Sequence, residues 1–238
     1  MSARKGRQAG KRRARAAISL LATLGFLALG TWQVERRAWK LALIAAVDER
    51  VHAPPRPAPP PDTWRTMVPR RDAYRHVAIR GRFLNDRETL VQALTEDGAG
   101  FWVMTPLRSD AGFVVLVNRG FVPTERVGSA ARKQVDGMTR ITGLLRTSES
   151  GGSMLRTNQP AQDRWFSRDV AAIAHARGLR WTAPYFIDAD AGQDSAVWPR
   201  GGMTVLVFPN NHLIYSITWF GLAALSLTGL VLVLRDGR

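Results

Sequence analysis

The chain of 238 residues contains no cysteine. That excludes disulfides, thiolate catalysis, thiolate-bound copper or zinc, and covalent c-type haem attachment. Any exported part must stand on packing alone, and the chain is long enough for that. Acidic residues are missing from residues 1–15, which carry Arg4, Lys5, Arg7, Lys11, Arg12, Arg13 and Arg15. This tail holds seven of the 15 net positive charges. A basic tail directly before an apolar run keeps a chain end on the cytoplasmic side, against anionic lipid. Membrane lipids, and no nucleic acid, are therefore the expected partners of the charge. Signatures of catalysis are missing too: there is no His-Glu-x-x-His, no Gly-x-Ser-x-Gly and no phosphate loop. Gly98-Ala99-Gly100 lacks the third glycine of a dinucleotide fingerprint. Ser2-Ala3-Arg4-Lys5 matches Ser-x-x-Lys only trivially, in a tail expected to be disordered. No enzyme is expected.

Two long stretches carry almost no charge. Ala16 to Val34 has none and, as a helix, covers about 29 Å, close to the hydrocarbon thickness of a bilayer. Trp32 sits near its end, where an amphipathic ring prefers the interface. Arg36, Arg37 and Lys40 follow, outweighed by the seven basic residues before the span. The rival reading is a cleaved signal peptide, with Ala28-Leu29-Gly30 as an acceptable cleavage site. The second stretch, His212 to Leu234, has no acid or base other than His212. It is long enough to cross with some tilt, and a buried core helix is the alternative. Arg235 and Arg238 after it suit the cytoplasm. Both termini are then cytoplasmic and the central part lies outside, in a bacterium in the periplasm of the inner membrane.

The expected organisation is a basic cytoplasmic tail (1–15), a transmembrane helix (16–34), a helical extension (35–52), a proline-rich linker (53–63), a periplasmic β-rich domain (64–211), a second transmembrane helix (212–234) and a short cytoplasmic tail (235–238). The linker APPRPAPPP is read as a stiff spacer whose polyproline form needs no core. In the domain, Val77, Ile79, Gly81 and Phe83 alternate with His76, Ala78, Arg80 and Arg82, as in a half-buried strand. Glu88 to Leu94, Phe101 to Leu107, Phe113 to Val117, Ile141 to Arg146 and Thr204 to Phe208 are further strands. Glu96 to Gly100 is expected to be a loop, and Asn118-Arg119-Gly120 to break a strand that resumes at Phe121. A short helix carries the stripe Val170, Ile173 and Ala174, with Ser167 as its cap and Gly178 as its end. The fold class is a membrane α+β protein: two transmembrane helices flank a mainly antiparallel-β, barrel-like extracytoplasmic domain with a short helix.

Candidate chemistry is sparse. Asp188, Asp190 and Asp194 read as a solvated loop rather than a calcium site. His52, His76 and His175 read as surface or capping residues. His212 differs, because an ionisable residue at the mouth of a span is costly. On a helix it shares a side with Tyr215, Ser216 and Trp219, and Trp32, Arg36 and Lys40 share a side of the first helix. Antiparallel spans bring the two sets to one membrane level. A histidine, an aromatic wall and a cation suit a planar anionic cofactor such as haem, with imidazole on the iron and arginine on the propionates. The residues alone favour the other reading, in which His, Tyr and Trp anchor the helix at the headgroups.

The order of several short motifs carries a resemblance. Gly30-Thr31-Trp32-Gln33 with Arg36 and Lys40 closes the first span; Tyr74, Gly81 and Phe83 open the domain. Gly100-Phe101-Trp102 and Thr105-Pro106-Leu107 lead to Val117-Asn118-Arg119-Gly120-Phe121-Val122-Pro123. Pro184-Tyr185-Phe186-Ile187-Asp188 follows, and Asn211-His212-Leu213 with Tyr215, Thr218, Trp219 and Phe220 opens the second span. This resembles the SURF1/Shy1 family of cytochrome c oxidase assembly proteins, across nearly the whole chain outside the basic tail and the linker. The resemblance implies an assembly factor for the respiratory haem-copper oxidase that binds haem A and aids its insertion into subunit I. It also implies haem A synthesis proteins or other assembly factors as partners. His212 becomes the candidate ligand of the haem iron, with Trp32, Arg36, Tyr215 and Trp219 as cofactor or partner contacts. Arg119 is expected to be held by a carboxylate. The alternative within the family is a scaffold that stabilises subunit I without binding haem.

Overall fold

In the computed structural model the chain divides into two units, Met1–Ala46 with Val207–Arg238, and Val47–Leu206. The structure describes residues 2–128, 132, 134–152, 156–192, 197–205 and 208–235. In chain order the elements are α1 (Ser2–His52), β1 (Arg56–Pro57), α2 (Pro69–Asp72), β2 (His76–Phe83), β3 (Thr89–Thr95), β4 (Gly98–Ser109), β5 (Val114–Pro123), β6 (Met138–Thr147), α3 (Val170–Ala176), β7 (Thr182–Ala189) and α4 (His212–Arg235).

The first unit pairs α1 with α4, both long and apolar enough to cross a membrane. Small residues form the seam: Thr23 and Gly30 on α1, Ser216 and Ala223 on α4, all buried. Lipid gives two helices no hydrophobic reason to associate, so close backbone approach and interhelical hydrogen bonds take over. Ser216 Oγ donates to the Gly30 carbonyl at 3.3 Å, and Ser226 Oγ to the Ser19 carbonyl at 3.0 Å. A Cβ at Gly30 would stand 2.7 Å from the Phe220 ring, so only glycine lets that ring in. Large apolar side chains such as Ile18, Leu21, Ile214 and Leu225 point outward. The basic tail, expected to be disordered, is instead helical from Ser2. Its Ala, Arg and Lys residues are good helix formers, and extending an existing helix needs no new nucleus.

The second unit is a barrel. The strand order is β1-β2-β6-β7-β5-β4-β3, and β2 also pairs with β4. That extra pairing closes β2, β6, β7, β5 and β4 on themselves. All their pairings are antiparallel except β5 with β7. Val77, Leu107, Val115, Leu145, Tyr185 and Ile187 fill the inside. A second cluster, with Met104, Leu116, Trp165 and Phe186, lies under Val170 and Ile173 of α3. β5 and β7 are thus buried on both faces.

Several expectations change. The proline stretch is docked rather than a free spacer: β1 runs parallel to β2, Ala58 is buried, and the Pro59 carbonyl accepts from Trp64 Nε1 (3.0 Å) and the Tyr185 hydroxyl (2.8 Å). Burial pushes the pKa of that hydroxyl up. Gly98–Gly100 belong to β4, leaving only Glu96-Asp97 as the turn from β3. Asn118-Arg119-Gly120 does not break β5. Gly120, at φ 129°, kinks it so that Phe121 can pair with Arg200. Asp169, not Ser167, caps α3 through the Ala172 N–H; Ser167 is buried and accepts from Gly152 and Asn158. Thr204, Val205 and Phe208 form no strand, and Leu206 and Val207 lie outside the described residues. β7 is an additional strand.

Candidate functional site

Four contacts step down α1 while they step up α4, so the two helices run antiparallel. Gln33 meets His212, Gly30 meets Ser216, Phe26 stacks on Trp219 with ring centroids 5.7 Å apart, and Ser19 meets Ser226. At the Gln33 end, His212 Nδ1 lies 2.7 Å from Gln33 Oε1. An amide oxygen only accepts, so Nδ1 is the donor in this contact. His212 is half-buried, and among the described residues Nε2 has no hydrogen-bond partner.

The other sequence-derived candidates are placed as follows. Trp32 and Tyr215 are exposed at 53% and 54%. The Arg36 guanidinium lies 4.0 Å from the centre of the Trp39 ring, and Lys40 reaches toward Phe208 at 5.8 Å. Trp219 is engaged with Phe26 two turns along α4 from His212. No hydrogen bond or ring contact joins any two of His212, Trp32, Arg36, Tyr215 and Trp219 among the described residues. Gln33 is the residue that sequence reasoning missed. It stood in the quoted motif, but a neutral amide has no signal of its own until its partner on α4 is known.

In the barrel unit the buried polar centre is Asp188. Its carboxylate accepts from Asn118 Nδ2 (2.8 Å), Arg146 Nη1 (2.7 Å), Arg168 Nη1 (3.1 Å) and Thr204 Oγ1 (2.9 Å). Arg168 also pairs with Glu149. Burial pushes the Glu149 pKa up, but the hydrogen bond and charge of Arg168 outweigh it and hold the carboxyl below its usual range. Arg168 is held high by the same partners against the burial that lowers it. Two guanidinia thus face two carboxylates, and the Arg168 cation lies 4.8 Å from the Phe186 ring centre. The network lines a cleft of about 150 Å3 with Trp102 and Gly120. Its charges balance, so it locks β5, β6 and β7 to the segment before α3.

Asp188 is therefore buried in β7 rather than part of a solvated acid loop, whereas Asp190 is exposed in the loop after β7, as expected, and meets His76; Asp194 lies outside the described residues. His76 Nδ1 faces the Ala53 carbonyl and Nε2 faces Asp190 Oδ2, each at 2.9 Å. Two acceptors favour the doubly protonated ring. Burial lowers the His76 pKa, but Asp190 and the Ala53 carbonyl raise it above its ordinary value. Arg119 is held by a carboxylate as expected, Glu88 at 3.7 Å, and burial lowers its pKa.

Comparison with known proteins agrees with the motif order. The chain is 37% identical to Surfeit locus protein 1 of Rattus norvegicus over 214 residues, 82% of this chain and 68% of that protein. It is 35% identical to the Homo sapiens protein of the same name over 228 residues, 87% of this chain and 73% of that one. It is also 35% identical to a SURF1-like protein of Monosiga brevicollis over 226 residues, 88% and 83% of the two chains. Residues 20–224, which include the whole barrel and part of each apolar helix, match the SURF1 family, and the chain belongs to that family.

Proposed function

We propose that this protein, whose family name implies a role in cytochrome c oxidase assembly, takes haem A as cargo at the His212 end of its helix pair and aids its insertion into subunit I of a haem-copper oxidase. The observation that carries this reading is the His212–Gln33 hydrogen bond. A histidine that ligates iron commonly gives its other ring N–H to a carbonyl or carboxylate, which fixes tautomer and ring orientation. Gln33 accepts from Nδ1 of His212 in this way, and Nε2 would be the nitrogen that ligates iron. The exposed rings of Trp32 and Tyr215 offer an apolar wall, and Arg36 and Lys40 offer cations for propionates. In this reading both termini are cytoplasmic, set by the basic tail, and Val47–Leu206 lies on the outer side, in a bacterium the periplasm. Haem A synthesis proteins or other assembly factors are the neighbours that supply the cargo.

The test has two parts. Reduced-minus-oxidised spectra of membranes with and without the gene are expected to differ in the haem a bands while haem A is still made. An unchanged oxidase spectrum would end the assembly reading. The purified protein is expected to show a haem absorption band that His212→Ala removes and that Gln33→Leu weakens by about 10–100-fold in affinity. A protein that supports the oxidase yet binds no haem A is the scaffold for subunit I instead.

A further inference from the structure

The register of the barrel sets four arginines against one another on its outer face. Arg80 lies opposite Arg140 across β2 and β6, and Arg82 lies opposite Arg108 across β2 and β4. All four are exposed, while their strand neighbours Ile79, Gly81, Phe83 and Leu107 are buried. Like charges directly opposed across a sheet weaken it. The half-buried guanidinia of this unit are matched: Arg75 by Asp72, Arg119 and Arg132 by Glu88, Arg146 and Arg168 by Asp188. Exposed arginines such as Arg56 and Arg65 also form no ion pair among the described residues, but they do not face one another across a strand pair. None of the four outer arginines forms an ion pair among the described residues. At one rim the Asp110 N–H donates to the Arg80 carbonyl at 3.1 Å, and the turn it starts carries Gly112 beneath Trp181. Trp181 is 58% exposed and has φ 53°, a costly conformation for a bulky residue.

We infer that this face docks an acidic, extended segment of a partner protein, with carboxylates at alternate positions. Arg80 and Arg82 are two residues apart on one strand, about 6.6 Å. Alternate side chains of an extended peptide have the same interval, so its carboxylates meet the guanidinia as forked, charge-assisted pairs. The strand register fixes the spacing of the four arginines and so gives register to a peptide, whereas a fluid headgroup layer has no register to match. An exposed tryptophan at the adjoining rim adds a residue type that anchors protein interfaces. The inference uses no residue of the His212 end and does not depend on the haem reading.

The test uses the full chain in neutral-lipid nanodiscs and a labelled ten-residue peptide of alternating Glu and Thr. The peptide is expected to bind, more weakly as salt rises from about 50 to about 200 mM. A variant with Arg80, Arg82, Arg108 and Arg140 all changed to Gln is expected to lose at least about tenfold in affinity, with Tm not lowered, because like-charge repulsion is relieved. The milder R80Q/R140Q pair is expected to lose part of the binding and guards against a folding defect. A control with Arg56, Arg65, Arg126 and Arg164 changed to Gln removes the same charge elsewhere and is expected to keep binding. Equal loss in that control means net-charge attraction only and overturns the proposal. So does absence of peptide binding, and so does binding to phosphatidylglycerol vesicles, but not to the peptide, that needs the four arginines.

Discussion

Replacing Asp188 by Asn tests whether the barrel depends on its buried charge network. Asp188 is only 5% exposed, and its four partners all donate to it. An Asn in its place keeps one oxygen and turns an NH2 toward donors. Glu149 still balances Arg168, but it lies 3.9 Å from Arg146 and is more exposed, so Arg146 is left with most of the uncompensated charge. Breaking one side of a buried ion pair costs about 3–5 kcal/mol. For a unit of this size that is a Tm drop on the order of 10 °C. Urea unfolding of the detergent-purified protein, followed by tryptophan fluorescence, reads the loss. Combining Asp188→Asn with Arg146→Met removes the orphaned cation and is expected to recover at least about 1 kcal/mol relative to the sum of the single variants. A single-variant loss below about 1 kcal/mol, or strict additivity in the double variant, refutes the view that Asp188 acts by holding the two arginines.

Gly120→Ala places a Cβ inside the Arg200 carbonyl, a backbone group that cannot rotate away, at φ 129°. The expected cost is about 2–4 kcal/mol, seen as lower yield and Tm; a neutral substitution would show that β5 and the Arg200 segment separate freely. His76 has a raised native pKa, so its stabilisation is full below its ordinary value of 6.5 and is lost as pH rises through the raised one. The Tm gap between the protein and His76→Gln is therefore expected to narrow from pH 5.5 to pH 9, both set in the measurement, and a constant gap at the two pH values contradicts the Asp190 pairing. Because the chain has no cysteine, Ser19→Cys with Ser226→Cys gives a background-free probe of the helix pair. Oxidation in membranes is expected to keep the two ends joined after proteolysis of the intervening unit, and free fragments would rule out the antiparallel seam.

What could be foreseen from the sequence follows from which surfaces meet water. β2 was legible because its outer face is wet and its inner face is not, which writes a period of two into the residues. β7 was not, because Ala183, Tyr185, Phe186, Ile187 and Asp188 are all buried and no alternation survives. Its Pro184, which argues against a strand, sits where the pairing with β5 slips, so no ladder bond is lost. Asp188 looked like part of an acid loop because its partners come from 70, 42 and 20 residues away, a constellation no local pattern records. The His212 end was half legible for a related reason. Periodicity shows which residues share a face of each helix, but not how the two helices are rotated against each other. That rotation is set by where the backbones come closest, at Gly30, Ser216 and Ala223, and with it Gln33 rather than Arg36 turns toward His212. The small residues of the seam, which carry no chemistry, thus decide which polar group orients the imidazole.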